Sequence, residues 1–356
     1  MKIGNKEIGK NKPTFIIAEA GVNHNGSLST AKKLVDAAVE SGADAIKFQT
    51  FKTENLVSKK AKMCDYQISN TGKTQSQFEM LKKLELTKKH HEIIFNYARK
   101  KGIIFLSTPF DDESVEFLYE LGVPAFKVGS SDTNNIPLLV KIAKKQKPII
   151  LSTGMSDLNE IIESVNAIKK YNKQIIVLHC TTDYPCKLDE VNLNAMKTIG
   201  KKCDVLIGYS DHTEGIQVSL SAVALGAKII EKHFTLDKNM KGPDHKASLE
   251  PKEFKKLTES IRNIEISLGS EDKAISDSPK KYIGEIKKSI IAKQDIKIGQ
   301  KITEDLLIIK RPSYGIEPKY LDKIIGLTAK CDINKDECIQ WEYLSEVKNH
   351  ICLIEN

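Results

Sequence analysis

No two cysteines in this chain form a C-x-x-C pair, and the seven present, at 64, 180, 186, 203, 331, 338 and 352, are odd in number. A structural zinc site and a disulfide framework are therefore not expected, and a reducing, cytoplasmic setting is. Nowhere does an apolar run approach the roughly eighteen residues of a membrane-spanning helix. The opening "MKIGNKEIGKNKP" also lacks the apolar core of a signal peptide. The formal charge is +8, but its lysines are dispersed, with no long basic run and no basic stretch interleaved with aromatics. Nucleic acid is not an expected partner; a mildly positive field suits an acidic small molecule instead. What remains is an ordinary globular composition, 40% hydrophobic and 29% charged, over 356 residues, enough for two domains.

Eight short apolar runs recur between Thr14 and Gly269. They are "TFIIAEA", "DAIKFQTF", "IIFLSTPF", "AFKVGSSD", "PIILSTGM", "QIIVLHCTT", "VLIGYSDHT" and "KIIEKHFTL". Each precedes a segment with helical spacing, such as "SLSTAKKLVDAAVESG". This rhythm predicts a (β/α)8 TIM barrel over residues 1–269. An open doubly wound sheet is the competing architecture, but no G-x-G-x-x-G turn follows the first run. Residues 52–102 are long for one connection and predict an extended loop followed by two helices, serving as a functional lid. The Ser-, Asp- and Lys-rich stretch 270–285 reads as a linker, 286–349 as a small β-rich domain, and 350–356 as a tail.

Every run begins apolar and ends in groups able to do chemistry. Glu19 closes the first, Lys47 and Gln49 the second, Ser107 and Thr108 the third. Lys127, Ser130 and Asp132 follow in the fourth, Ser152 and Thr153 in the fifth, and Thr181, Thr182 and Tyr184 in the sixth. The last two end in Asp211 and His212, and in Glu231 and His233. In a TIM barrel the C-terminal strand ends converge on one face, where the active site sits. His212 and His233, with Glu19 nearby and Asp244 on the following loop, suit a divalent metal with open positions. Alternatively, Asp211 or a backbone carbonyl simply holds His212. Lys47 and Lys127 read either as an anion clamp or as a Schiff-base lysine of a pyruvate aldolase; outward snorkelling is the third option.

Taken together, "AEAGVNHNGS", "KFQTFK", "STPFD", "ILSTGM", "LHCTTDYP", "GYSDHT", "ALGAKIIEKHFTLDK", "GPDHKASLEP" and "KRPSYGI" resemble the sialic acid synthase family in order and spacing. The resemblance spans nearly the whole chain. It implies a (β/α)8 barrel with a C-terminal antifreeze-like (SAF) domain, a cofactor of Mn2+ or Mg2+, and condensation of phosphoenolpyruvate with an N-acetylated mannosamine-type sugar. On this basis His212 and His233 bind the metal, and Glu19, Lys47, Lys127 and Asp132 are the catalytic candidates, with Glu19 preferred to Asp132 for proton transfer. Lys47, Thr108, Lys127, Ser130 and Ser152 contact phosphoenolpyruvate. Gln49, Thr182, Tyr184 and Asp244 line the sugar pocket. Arg311 reaches a partner subunit's barrel in a domain-swapped homodimer. The acceptor is expected to be N-acetylmannosamine, giving N-acetylneuraminate. The alternative is 2,4-diacetamido-2,4,6-trideoxymannose, giving N,N'-diacetyllegionaminate. Two departures bear on the pocket: "SSD" at 130–132 replaces a common "SGE", and Thr182 stands where some members have asparagine. A carbohydrate- or ice-binding role for the C-terminal domain is disfavoured by its Lys, Asp and Glu content.

Overall fold

Strands rich in Ile, Val and Leu on both faces are stable only when covered on both sides, which is the situation of a parallel sheet wrapped by helices. The computed structural model describes residues 1–72 and 75–345 and shows this arrangement. A hairpin of Lys2–Ile3 (β1) and Lys6–Glu7 (β2) comes first. Eight parallel strands follow: β3 (Phe15–Gly21), β4 (Ala45–Thr50), β5 (Ile104–Pro109), β6 (Phe126–Val128), β7 (Ile149–Ser152), β8 (Ile175–His179), β9 (Leu206–Asp211) and β10 (Ile229–His233). Their ladder runs β5-β4-β3-β10-β9-β8-β7-β6, and β5 and β6 lie side by side to bring the barrel nearly to closure. All eight expected runs are strands.

Alternation along these strands sorts the side chains. Phe15, Ile17, Ala45, Leu106, Ile150, Ile176 and Ile229 point inward, where Ile3 and Ile8 of the hairpin segment join them at the N-terminal end. Ile16, Ala18, Ile46, Phe48, Val177 and Ile230 point outward, against the helices. The hairpin has no counterpart in the sequence reading, because two-residue strands leave no periodicity to detect.

The excursion between β4 and β5 differs from expectation in its first half. Instead of an extended loop it carries helices Thr53–Leu56 and Asp65–Thr71, ahead of Gln77–Leu84 and Lys88–Lys101. Met63, Met80 and Leu84 form a small core of their own with Val22 and Phe51, which ties the excursion to the barrel's mouth.

The chain divides after Gly269 into two compact units. The second begins with two short helices, Asp277–Lys280, within the stretch read as a linker, and Ile283–Ile286, which runs one residue past it. It then pairs Ser289–Ala292 (β11) with Leu307–Lys310 (β12) antiparallel, around a core that includes Ile290, Ile296, Ile302, Ile324, Ile333 and Ile339. The last residues of the expected domain (346–349) and the tail 350–356, Cys352 among them, lie outside the described residues.

Gly208 shows how tightly β8, β9 and β10 pack. A methyl group there would meet Leu178 Cδ2 at 2.5 Å and the Ile229 carbonyl oxygen at 2.6 Å. Gly208→Ala is expected to destabilise the barrel by about 1–3 kcal/mol, the usual cost of overpacking a filled core. Thermal unfolding monitored by circular dichroism checks this.

Candidate active site

The inward alternation that fills the barrel with aliphatic side chains changes character one layer before the strands end. Glu19, Lys47, Thr108, Lys127, Ser152, Ser210, Glu231 and His233 all point into one cavity of about 620 Å³ at the C-terminal mouth. Strand register fixes their neighbours: Lys47 and His233 flank Glu19, and Ser210 lies opposite Glu231.

Two buried ion pairs form the floor. Lys47 Nζ lies 2.8 Å from Glu19 Oε2 and donates to Thr108 Oγ1 at 3.0 Å. Lys127 Nζ donates to Ser152 Oγ at 2.7 Å and lies 3.4 Å from Glu231 Oε1, which also accepts from Ser210. Burial pushes the Glu19 carboxyl up to about 7, with Lys47 opposing and Glu231 reinforcing the shift. Burial acts on Glu231 too, but Lys127 and Lys47 outweigh it and hold that group below the usual carboxylate range. The two carboxylates are thus separated in character by which cations surround them.

Above the floor, the His212 and His233 rings lie 5.5 Å apart. Burial lowers the pKa of both, so both imidazoles are neutral near pH 7. His212 Nδ1 donates to the Thr181 carbonyl at 2.6 Å, which fixes its tautomer and leaves Nε2 as a lone pair. His233 Nδ1 has no hydrogen-bond partner among the described residues. Neutral imidazoles with free lone pairs fit a divalent metal. No ready-made cluster of three or more His, Cys, Asp or Glu exists among the described residues, so water or substrate oxygens would complete the shell. The carbonyl, not Asp211, holds His212. Asp211 faces outward, in a fully buried pair with Lys232 at 3.0 Å, and accepts from Thr213 and Ser219.

Of the residues singled out from sequence, Gln49, Ser130, Thr182, Tyr184, His212 and Asp244 also line this cavity. Ser130 Oγ accepts from the Gly154 N–H at 2.9 Å. A methyl group on Gly154 would come within 2.3 Å of Thr182 Oγ1, so only glycine leaves that hydroxyl room. The Tyr184 ring packs 4.3 Å from the His212 ring, tilted by 36°. Burial raises Asp244 to about 6.

One expected residue, Asp132, is elsewhere. Asp132 sits in a 3-10 turn after β6 has ended at Val128, and its carboxylate accepts from Ser131 and Asn135 outside the cavity wall. Arg311 lies exposed on the second unit, just after β12. Cavity residues with no assigned role in the sequence reading include Glu231, Ser210 and Tyr66. Alternation of β10 puts Glu231 on the same face as His233, which was the available signal. His245 is structural, with Thr235 Oγ1 at 2.6 Å and Asn25 Oδ1 at 3.3 Å from its two ring nitrogens.

A NeuB family model matches residues 34–273, and a SAF domain model matches 287–345. The chain is 51% identical to an N,N'-diacetyllegionaminic acid synthase of Campylobacter jejuni, over 92% of this chain and 99% of that protein. It is 43% identical to a protein of the same name from Legionella pneumophila, over 96% of this chain and 97% of that one. Among solved structures, N-acetylneuraminic acid (sialic acid) synthetase of Leptospira borgpetersenii superposes with a TM-score of 0.71 at 37% identity. That match covers 80% of this chain and 94% of that one. A barrel with this floor, matched over most of its length, followed by a matched SAF domain, leaves one assignment: the chain belongs to the NeuB family of nonulosonate synthases.

Proposed function

We propose that this enzyme condenses phosphoenolpyruvate with 2,4-diacetamido-2,4,6-trideoxymannose, releasing phosphate and forming N,N'-diacetyllegionaminate in the cytoplasm. The observation that carries the acceptor is the high identity, over nearly full length, to the Campylobacter and Legionella proteins of that name. The cavity's chemistry supports it. Beyond the charged floor the cavity is also lined by Leu56, Tyr66, Met80, Leu81 and Leu84, a surface better matched to acetamido and methyl groups than to hydroxyls. N-acetylmannosamine, the acceptor first expected, remains the second reading because of the Leptospira likeness.

The reaction joins C3 of phosphoenolpyruvate to the sugar's aldehyde carbon, adds water at C2, and expels phosphate by C–O cleavage. Lys127 with Ser152 and Ser130, and Lys47 with Thr108, bind and orient the two anionic groups of phosphoenolpyruvate, a positioning task. Pairing of both ammonium groups with buried carboxylates, together with family membership, sets the Schiff-base aldolase aside. Glu19, raised toward neutrality, exchanges its proton at the pH of the reaction and suits the transfers at the aldehyde oxygen and the attacking water. Thr182 and Tyr184 receive the acetamido group next to the aldehyde, and Gln49 and Asp244 the hydroxyls beyond. His212 and His233 would hold Mn2+ or Mg2+, which when bound supplies Lewis acidity toward the aldehyde.

Offering both sugars to the wild-type enzyme decides the acceptor. A higher kcat/KM for the diacetamido sugar is expected, and preference for N-acetylmannosamine would reverse the assignment. His212→Ala and His233→Ala are each expected to lower turnover by more than about a hundredfold, since Lewis-acid assistance contributes several kcal/mol. Mn2+ binding by calorimetry should weaken in step while the melting temperature of the metal-free protein barely moves. For the dimer, Arg311→Ala should lower activity, and mixing it with His233→Ala should restore part of it through mixed dimers. Failure to recover activity despite demonstrated subunit exchange would count against the swapped arrangement.

A further inference from the structure

Phosphoenolpyruvate has its partners on the floor, and the aldehyde carbon must meet it there. The acceptor's C4 to C6 end is therefore turned away from the floor. The excursion between β4 and β5 supplies much of the cavity lining outside that floor. Tyr66 lies in the first turn of helix Asp65–Thr71 and lines the cavity, its ring 5.2 Å from that of Tyr184. The aromatic series is continuous, since Tyr184 in turn packs 4.3 Å from His212.

Tyr66 is fixed from several directions. Gln67 Nε2 donates to its hydroxyl at 3.3 Å, and Gln67 Oε1 accepts the Cys64 N–H at 3.0 Å, anchoring the start of the helix. Asn70 Nδ2, one turn on, donates to the Pro243 carbonyl at 2.6 Å, beside Asp244. The helix is thereby tied to the loop that carries Asp244. Met80 and Leu84, on the next helix of the excursion, continue the same wall and belong to its small apolar core.

We propose that Tyr66 is a specificity-determining residue whose ring, with Met80 and Leu84, receives the 4-acetamido and 6-methyl groups that distinguish the diacetamido sugar from N-acetylmannosamine. This rests on the acceptor assignment made above. An amide plane stacks on an aromatic face, and a methyl group packs against Met and Leu. N-acetylmannosamine would present hydroxyls to the same surface and lose water without gaining partners.

The test compares wild type, Tyr66→Ala and Tyr66→Phe with both sugars and with phosphoenolpyruvate. Tyr66→Ala is expected to raise KM for the diacetamido sugar about tenfold or more, in the range a lost pocket contact gives. KM for phosphoenolpyruvate should stay within about twofold, and the preference between the two sugars should shrink. Tyr66→Phe keeps the ring and is expected to stay close to wild type on both counts, which separates recognition from a folding defect. An unchanged acceptor KM in Tyr66→Ala would overturn the proposal, as would an equal rise for phosphoenolpyruvate or an unaltered sugar preference. Wild-type preference for N-acetylmannosamine would instead overturn the acceptor assignment, so the two failures are told apart by which protein shows them.

Discussion

Two ammonium groups and two carboxylates, all buried, share the floor of the barrel's mouth, and none of the four is stable there without the others. Lys47 with Glu19 and Lys127 with Glu231 are each within ion-pair distance, and hydroxyls of Thr108, Ser152 and Ser210 take up part of the remaining hydrogen-bonding capacity. Removing one partner of such a pair typically costs about 3–5 kcal/mol, because a charge is left desolvated and uncompensated. The floor therefore behaves as one unit. It also suits an anion bound deep in the barrel, because the cations are already dehydrated and held in place before the anion arrives.

A third buried pair performs a different task. Asp211 and Lys232 are register partners on β9 and β10, facing the helices rather than the cavity. Each is the immediate neighbour of a histidine: Asp211 precedes His212 and Lys232 precedes His233. Alternation sends the histidines toward the mouth and the pair behind them, while Lys232 also donates to the Thr213 carbonyl. The two imidazoles stand on backbone pinned from behind, which limits how far their separation can drift.

The eight strands were legible because strands buried on both faces read as unbroken apolar runs, with the polar residues displaced to their ends. The metal-suited histidines and the two lysines were legible for the same reason. What periodicity could not supply was orientation at the ends. Asp132 lies in the right run, but β6 stops at Val128 and the following 3-10 turn moves the carboxylate out of the wall. Asp211 and His212 are adjacent and equally polar, yet one step of alternation separates structure from site. Glu231 stood in plain view as a strand-end carboxylate, but its role depends on Lys127 crossing from another strand. The helix bearing Tyr66 was hidden because seven residues, Asp65–Thr71, are too few to show a period, and its capping residue, Cys64, is not one that signals a helix start.

The division between floor and wall has a consequence for how this architecture accommodates different acceptors. Floor residues sit on strands whose register is shared with neighbours on both sides, so shifting one displaces others. Wall residues sit on the excursion and on the loop after β10, joined to each other by Asn70 and Pro243 but free of the barrel's hydrogen-bond ladder. With the substrates placed as proposed above, substitutions there would alter contact with the far end of the sugar while leaving phosphoenolpyruvate and the aldehyde where they are. Acceptor choice can therefore change without rebuilding the chemistry, and the residues that set it are to be sought in the excursion and that loop rather than at the strand ends.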